Sequence, residues 1–175
     1  MTEIDRDQIK TLLESLGERY KRHAKLILLG RSALCLLGNP RPTVDIDYVG
    51  DDLQKDDFQN LMAEIAGEMG FEVEAVPIQE FTPLAFGDES HSIPVGRFGK
   101  LEFSILDPYV MALSKLDRGF DTDVDDIIFL IQRGLFSLQQ LGEVVEAALP
   151  HARKFVMNTR ELQDHLQVVR DAIER

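Results

Sequence analysis

At 175 residues with a net charge of −12, the chain has room for one ordinary domain with a sizeable hydrophobic core. Its composition, 44% hydrophobic and 29% charged, is globular and not disordered. The acidic balance excludes broad, sequence-independent nucleic-acid binding, which needs many Lys/Arg–phosphate contacts, and no apolar run reaches the roughly 18 residues a membrane helix needs. The acidic start, Met1-Thr2-Glu3-Ile4-Asp5, lacks a signal-peptide pattern. The single cysteine, Cys35, lies among Ala33, Leu34, Leu36 and Leu37. It reads as a buried core thiol in a reduced, cytoplasmic setting. The four histidines show no ligand-like spacing.

In chain order, Ile4, Ile9, Leu12, Leu13, Leu16 and Tyr20 form a helical stripe. Leu26 to Leu29 reads as a buried strand ended by Gly30. Ser32 to Leu37 reads as a short helix closed by Gly38. Asn39-Pro40-Arg41-Pro42 must be a loop, because two prolines forbid a continuing ladder or helix. After a strand at residues 44–49, Lys55 to Met69 carries an amphipathic stripe ending at Gly70. Phe71 to Val76 reads as a strand, and residues 77–90 show no regular period. Ser92 to Val95 and Lys100 to Ile105 read as a strand pair around Gly96-Arg97-Phe98-Gly99.

From Asp107-Pro108, an N-cap followed by proline, the pattern is helical. A second helix covers roughly Thr122 to Gln132, Ser137 and Gln140 open a third as a capping box, and Asn158 opens a fourth. The expected architecture is one α+β domain. A small mixed sheet flanked by helices spans about residues 1–106, and a helical portion spans about 107–175.

The chemistry concentrates in Val44-Asp45-Ile46-Asp47-Tyr48-Val49. Strand side chains alternate faces, so Asp45 and Asp47 share one face and Val44, Ile46 and Tyr48 the other. Two carboxylates that close repel, and one takes up a proton unless a cation separates them. A hard divalent ion with oxygen ligands is the usual cation, so the pair reads as half of a Mg²⁺ site. In Leu101-Glu102-Phe103-Ser104-Ile105 the same alternation sets Glu102 opposite the core face. If the two strands lie side by side, three acids converge, a set suited to two-metal phosphoryl or nucleotidyl transfer. Upstream, Gly30-Arg31-Ser32 stands at a strand-to-helix turn. Glycine there permits close backbone approach, and the helix start offers N–H groups to a phosphate.

Gly30-Arg31-Ser32 followed by Arg41-Pro42-Thr43-Val44-Asp45-Ile46-Asp47 resembles the signature of the nucleotidyltransferase superfamily, a hydrophobic-Gly-Gly/Ser turn followed by Asp-x-Asp. The match is closest to a small bacterial and archaeal branch that includes abortive-infection, toxin-type nucleotidyltransferases. That branch also has a helix ending in Lys-Leu before an acidic helix start, as do Lys115-Leu116 and Asp123-Val124-Asp125-Asp126 here. The resemblance implies that Gly30 and Ser32 hold triphosphate oxygens. Asp45 and Asp47 would bind Mg²⁺, and Glu102 would be the third acid, orienting or deprotonating the attacking hydroxyl. Lys115 would approach the phosphates, and Asp123 or Asp126 would complete the site or brace Lys115. Arg41 would brace the carboxylates or touch phosphate. Arg31 departs from the family pattern, where this place is usually Gly or Ser; it either crowds the triphosphate or supplies a cation to it.

The implied function is transfer of a nucleoside monophosphate from an NTP to a hydroxyl on a protein, an RNA end or a small molecule, with a cognate antitoxin as a candidate partner. The alternative is a catalytically weak or inactive relative that serves as a binding or regulatory module.

Overall fold

The computed structural model describes residues 3–50, 56–76 and 92–175. Among them are seven α-helices and one mixed five-stranded sheet, an α+β fold. The chain falls into two compact units, residues 1–76 with 92–106 and residues 77–91 with 107–175. Among the described residues no helix is long and apolar enough to cross a membrane.

In the first unit, α1 (Arg6–Arg19) starts at a capping box. The Asp5 carboxylate accepts from the Gln8 N–H, and the Gln8 side chain accepts from the Asp5 N–H. Its buried stripe is Ile9, Leu12, Leu13 and Leu16. Ile4 lies outside the helix and forms an isolated antiparallel bridge with Thr43. The elements β1 (Ala24–Leu28), α2 (Gly30–Leu36), β2 (Asp45–Gly50), α3 (Asp56–Met69), β3 (Glu72–Ala75), β4 (Ile93–Phe98) and β5 (Leu101–Ile105) follow.

The strand order is β3-β2-β1-β5-β4. Strand β1 runs antiparallel to β2 and parallel to β5. Strand β3 is parallel to β2, and β4 is antiparallel to β5. The register aligns Leu28 with Tyr48 and Ile105, and Leu26 with Phe103, so these side chains share one face. They are buried there. Phe58 of α3 packs edge-on against Tyr48 and Tyr20, with ring centroids 6.3 and 5.0 Å apart. Strand alternation then sends Asp45, Asp47, Lys25 and Glu102 to the opposite face.

Strand β4 is longer than its sequence suggests. It continues through Gly96 and Arg97 to Phe98, with a register shift between Pro94 and Gly96. A bulge absorbs the extra residue, and Phe98 gains an edge-on contact with Phe103 at 5.4 Å. The aperiodic stretch 77–90 lies outside the described residues. Lys21, Arg22, His23 and Lys25 stand close together in the sequence, and of these Arg22 pairs with Asp57 of α3.

In the second unit, α4 (Pro108–Arg118) begins at Asp107, whose carboxylate accepts from the Tyr109 N–H at 2.8 Å. It ends at Gly119 in the left-handed region (φ 68°). The His165 ring of α7 (Thr159–Ile173) occupies the space a Cβ at Gly119 would need. His165 Nδ1 lies 2.5 Å from the Leu116 carbonyl. A carbonyl can only accept, so that nitrogen carries the proton. Helices α5 (Asp121–Gln132) and α6 (Leu138–Ala148) and a 3₁₀ segment (Leu149–Phe155) complete the unit. The Ser137/Gln140 capping box forms at the start of α6.

Candidate functional site

The strand–turn–helix connection from β1 to α2 sets the geometry of the β2 acids. Leu29 follows β1 as the N-cap of α2, and its N–H donates to the Asp47 carbonyl at 3.1 Å, clamping the turn to β2. Gly30 follows with φ +63°, and a Cβ placed on it would stand 2.5 Å from Asp47 Oδ2. Both its dihedral and its surroundings therefore require glycine. Asp47 thus brings its carboxylate to the first residue of α2, where the helix dipole favours negative charge. Ser32 is 1% exposed, and its hydroxyl donates to the Leu29 carbonyl at 2.9 Å. In this structure that proton ties the turn together. Arg31 and Arg41 are both half-buried, and the Arg41 N–H donates to Asn39 Oδ1 at 3.0 Å.

Asp45 sits two residues earlier on the same face. Buried Thr43 reaches its carbonyl at 2.8 Å and its Oδ1 at 3.2 Å through one hydroxyl. Asp45 and Asp47 are both half-buried. The parallel register of β3 places Glu72 opposite Asp45 and Glu74 opposite Asp47, so four acids line one face of the β2–β3 pair. Among the described residues, however, no group of three or more His, Cys, Asp or Glu side chains converges closely enough to hold a metal ion.

The structure does not bring Glu102 to this pair. Glu102 shares the face but not the level, because its row is Lys25 on β1 and Arg97 on β4. Asp47 aligns with Leu29, and the β1–β5 register carries that level past Ile105. Four residues along the strand and two strands across amount to about 16 Å, far beyond shared coordination. Glu102 instead accepts from Arg97 at 2.8 Å, both side chains being more than half exposed. The correction concerns register alone.

In the second unit, Lys115, Asp123 and Asp126 form a buried cluster, exposed by 4%, 2% and 0%. The Lys115 ammonium donates to Asp126 Oδ2 at 2.7 Å and to Asp123 Oδ1 at 3.3 Å. Arg118 adds a bond to the same Asp123 oxygen at 2.6 Å, and among the described residues Asp123 Oδ2, which is buried, has no hydrogen-bond partner. Two cations face two carboxylates, so charge is balanced locally. Of the two roles left open for Asp123 and Asp126, both carboxylates here brace Lys115. Asp125, between them, is exposed.

Against the family of nucleotidyltransferases of unknown function, DUF6036, residues 6–166 match. The chain belongs to that family. This DUF6036 chain is also similar in fold to the crystal structure of an antigenic nucleotidyltransferase-like protein from Paracoccidioides brasiliensis. The TM-score is 0.51 at 16% identity, over 95% of each chain. No curated protein matches the DUF6036 sequence.

Three residues beside the acid pair were not singled out from sequence. Thr43 orients Asp45, and a threonine two residues ahead of an aspartate is the local signal for that bond. Glu72 and Glu74 follow the same alternation as Asp45 and Asp47, but only the β2–β3 register makes them neighbours. Next to Asp47, Tyr48 faces the core, and burial pushes its phenol up. It is thereby removed from proton exchange on the acid face. Cys35, 4% exposed, is likewise pushed up by burial.

Proposed function

We propose that this DUF6036 chain is a Mg²⁺-dependent nucleotidyltransferase that moves a nucleoside monophosphate from an NTP to a hydroxyl acceptor. One observation carries the reading: the Asp47 carboxylate stands against Gly30 at the start of α2. A phosphate docking at that turn meets an anion already in place. The two share the position only with a cation between them. Magnesium suits this role, since it is commonly held by one or two carboxylates, with substrate phosphates and water completing its shell. Asp45 and Asp47 would hold it, and no third protein acid is needed.

When bound, the ion would neutralise phosphate charge and help align the reacting oxygens. The protein's own contribution is positional. Gly30 lets the triphosphate approach the backbone. Ser32 keeps the turn closed, and Thr43 holds Asp45 in its rotamer. Arg31 and Arg41 would add cations to the phosphates. The acceptor oxygen forms its bond to the α-phosphorus as the bond to the bridging oxygen breaks. Pyrophosphate then leaves, and the hydroxyl proton passes to water. Lys115, within its ion cluster, braces α4 against α5.

The resemblance of the Arg41–Asp47 segment to toxin-type relatives supports an acceptor-specific toxin role in the cytoplasm. A cognate antitoxin is the expected partner, and the acceptor is a protein side chain, an RNA end or a small molecule. Thermal denaturation with each NTP, with and without Mg²⁺, tests nucleotide binding; transfer from α-phosphate-labelled NTPs to cell-extract components tests chemistry. We expect a nucleotide shift that requires Mg²⁺ and disappears in Asp47→Asn, together with Mg²⁺-dependent labelling. No shift with any nucleotide and no labelling would sink the reading.

The buried, already donated Ser32 hydroxyl favours a second reading, a nucleotide-binding module without transferase activity. Mg²⁺-dependent stabilisation without any label transfer would select it.

A further inference from the structure

The segment after α6 inverts the charge of the chain. Between Glu146 and Glu161 there is no carboxylate, while His151, Arg153, Lys154 and Arg160 fall within it, on a protein of net charge −12. All four are exposed. Among the described residues no carboxylate pairs with Arg153 or Lys154. Lys154 Nζ lies 5.8 Å from the Phe155 ring centroid. Among the described residues Arg160 pairs only with the exposed Asp164, at 3.7 Å, a contact that water and salt readily replace.

Val156 stands at the centre of this basic run. It closes the 3₁₀ segment in the left-handed region, with φ 61° and ψ 21°. Among the described residues it is the only non-glycine with positive φ. Its N–H donates to the Arg153 carbonyl and the Met157 N–H to the Ala152 carbonyl, the arrangement in which glycine normally ends a helix. A β-branched side chain is strained there. Val156 recovers nothing by burial, being 94% exposed. Its side chain adds strain to the isolated fold and stabilises nothing within it. An aliphatic group in that position becomes favourable only when something outside the chain covers it.

We propose that Arg153, Lys154, Val156 and Arg160 form a docking face for a partner protein, engaged through an acidic segment that carries an aliphatic side chain. Charge complementarity selects an anionic partner. The exposed valine selects peptide over nucleic acid, because RNA phosphates would use the cations and leave Val156 uncovered; the neighbouring Phe155 ring is half-buried, with Lys154 near it. This inference is independent of the nucleotidyl-transfer reading.

The test uses the full chain and two fluorescent probes, a short glutamate-rich peptide with a central leucine and a uridine oligonucleotide of similar charge. Anisotropy should show salt-sensitive binding of the peptide in preference to the oligonucleotide. Affinity for the peptide should fall at least tenfold in the R153E/K154E double variant and severalfold in Val156→Gly. Val156→Gly should at the same time raise Tm, since glycine relieves the strain. The opposite signs separate a docking residue from a structural one. Absence of peptide binding, equal or tighter binding of the oligonucleotide, unchanged affinity in Val156→Gly, or a lowered Tm in that variant would each overturn the proposal.

Discussion

Two clusters of aspartates occupy the two units, and their surroundings differ in burial and in the groups that lie beside them. On β2, Asp45 and Asp47 are half-buried, lie on the sheet face opposite the hydrophobic core, and have Glu72 and Glu74 as lateral neighbours. On α5, Asp123 and Asp126 are buried and held by Lys115, with Arg118 at the edge. Spacing aligns each pair by the same logic, two residues along a strand and three along a helix. What differs is the burial. A buried carboxylate without a cation is very costly, so the helical pair is locked to a lysine from a neighbouring helix. The strand pair is only half-buried and keeps enough solvent contact to tolerate its charge; under the proposed function it would take up a cation that arrives with a substrate.

The largest test of this contrast is Lys115→Met. It leaves two buried carboxylates facing one partly exposed arginine, and should destabilise the protein by about 3–5 kcal/mol in urea denaturation. A loss below about 1 kcal/mol would mean that the cluster is solvated in solution. Next comes Gly30→Ala, which places a methyl group against Asp47 Oδ2 and holds alanine in the left-handed region. It should cost about 1–2 kcal/mol and abolish any Mg²⁺-dependent nucleotide shift. Retention of that shift would detach the turn from the acid pair. Glu102→Gln should leave both stability, to within about 0.5 kcal/mol, and the nucleotide shift unchanged. Loss of the shift would restore Glu102 to the site.

The smallest effect sharpens the comparison with a third acid. Burial pushes the Asp117 carboxyl up; Glu161 adds to the shift, and His165 and Arg118 oppose it. The folded protein therefore holds this proton to higher pH than the unfolded chain does. Above the ordinary aspartate range the raised folded value is a net penalty to folding; well below that range both states are protonated and the penalty vanishes. Asp117→Asn should accordingly raise Tm slightly at pH 7, with the gain fading as pH falls into the acid range. A gain that grew on acidification would contradict the assignment.

Much of this was legible from local pattern. The Val44–Val49 alternation placed both aspartates on one face, and Gly30 marked the turn that Asp47 occupies. Asp107-Pro108 and Ser137/Gln140 marked two helix starts that the structure bears out. The misplacement of Glu102 has a definite origin. Alternation assigns it the correct face, but nothing local to β5 records which residue of β1 it will pair with. The stagger of that pairing follows from how Leu26, Leu28, Phe103 and Ile105 fill the core. The same limit hid Glu72 and Glu74, which became neighbours of the acid pair only when β3 paired with β2.

By itself the sequence determined the periodicities, hence the faces on which the charged groups lie, together with the glycine turn and the helix caps, because each depends on torsions and hydrogen bonds within a few residues. Only the tertiary structure decided which of those groups meet. Strand register, the Lys115 pairing across two helices and the outward exposure of Val156 arise from packing between segments distant in the chain, where the spacing within any one segment carries no information.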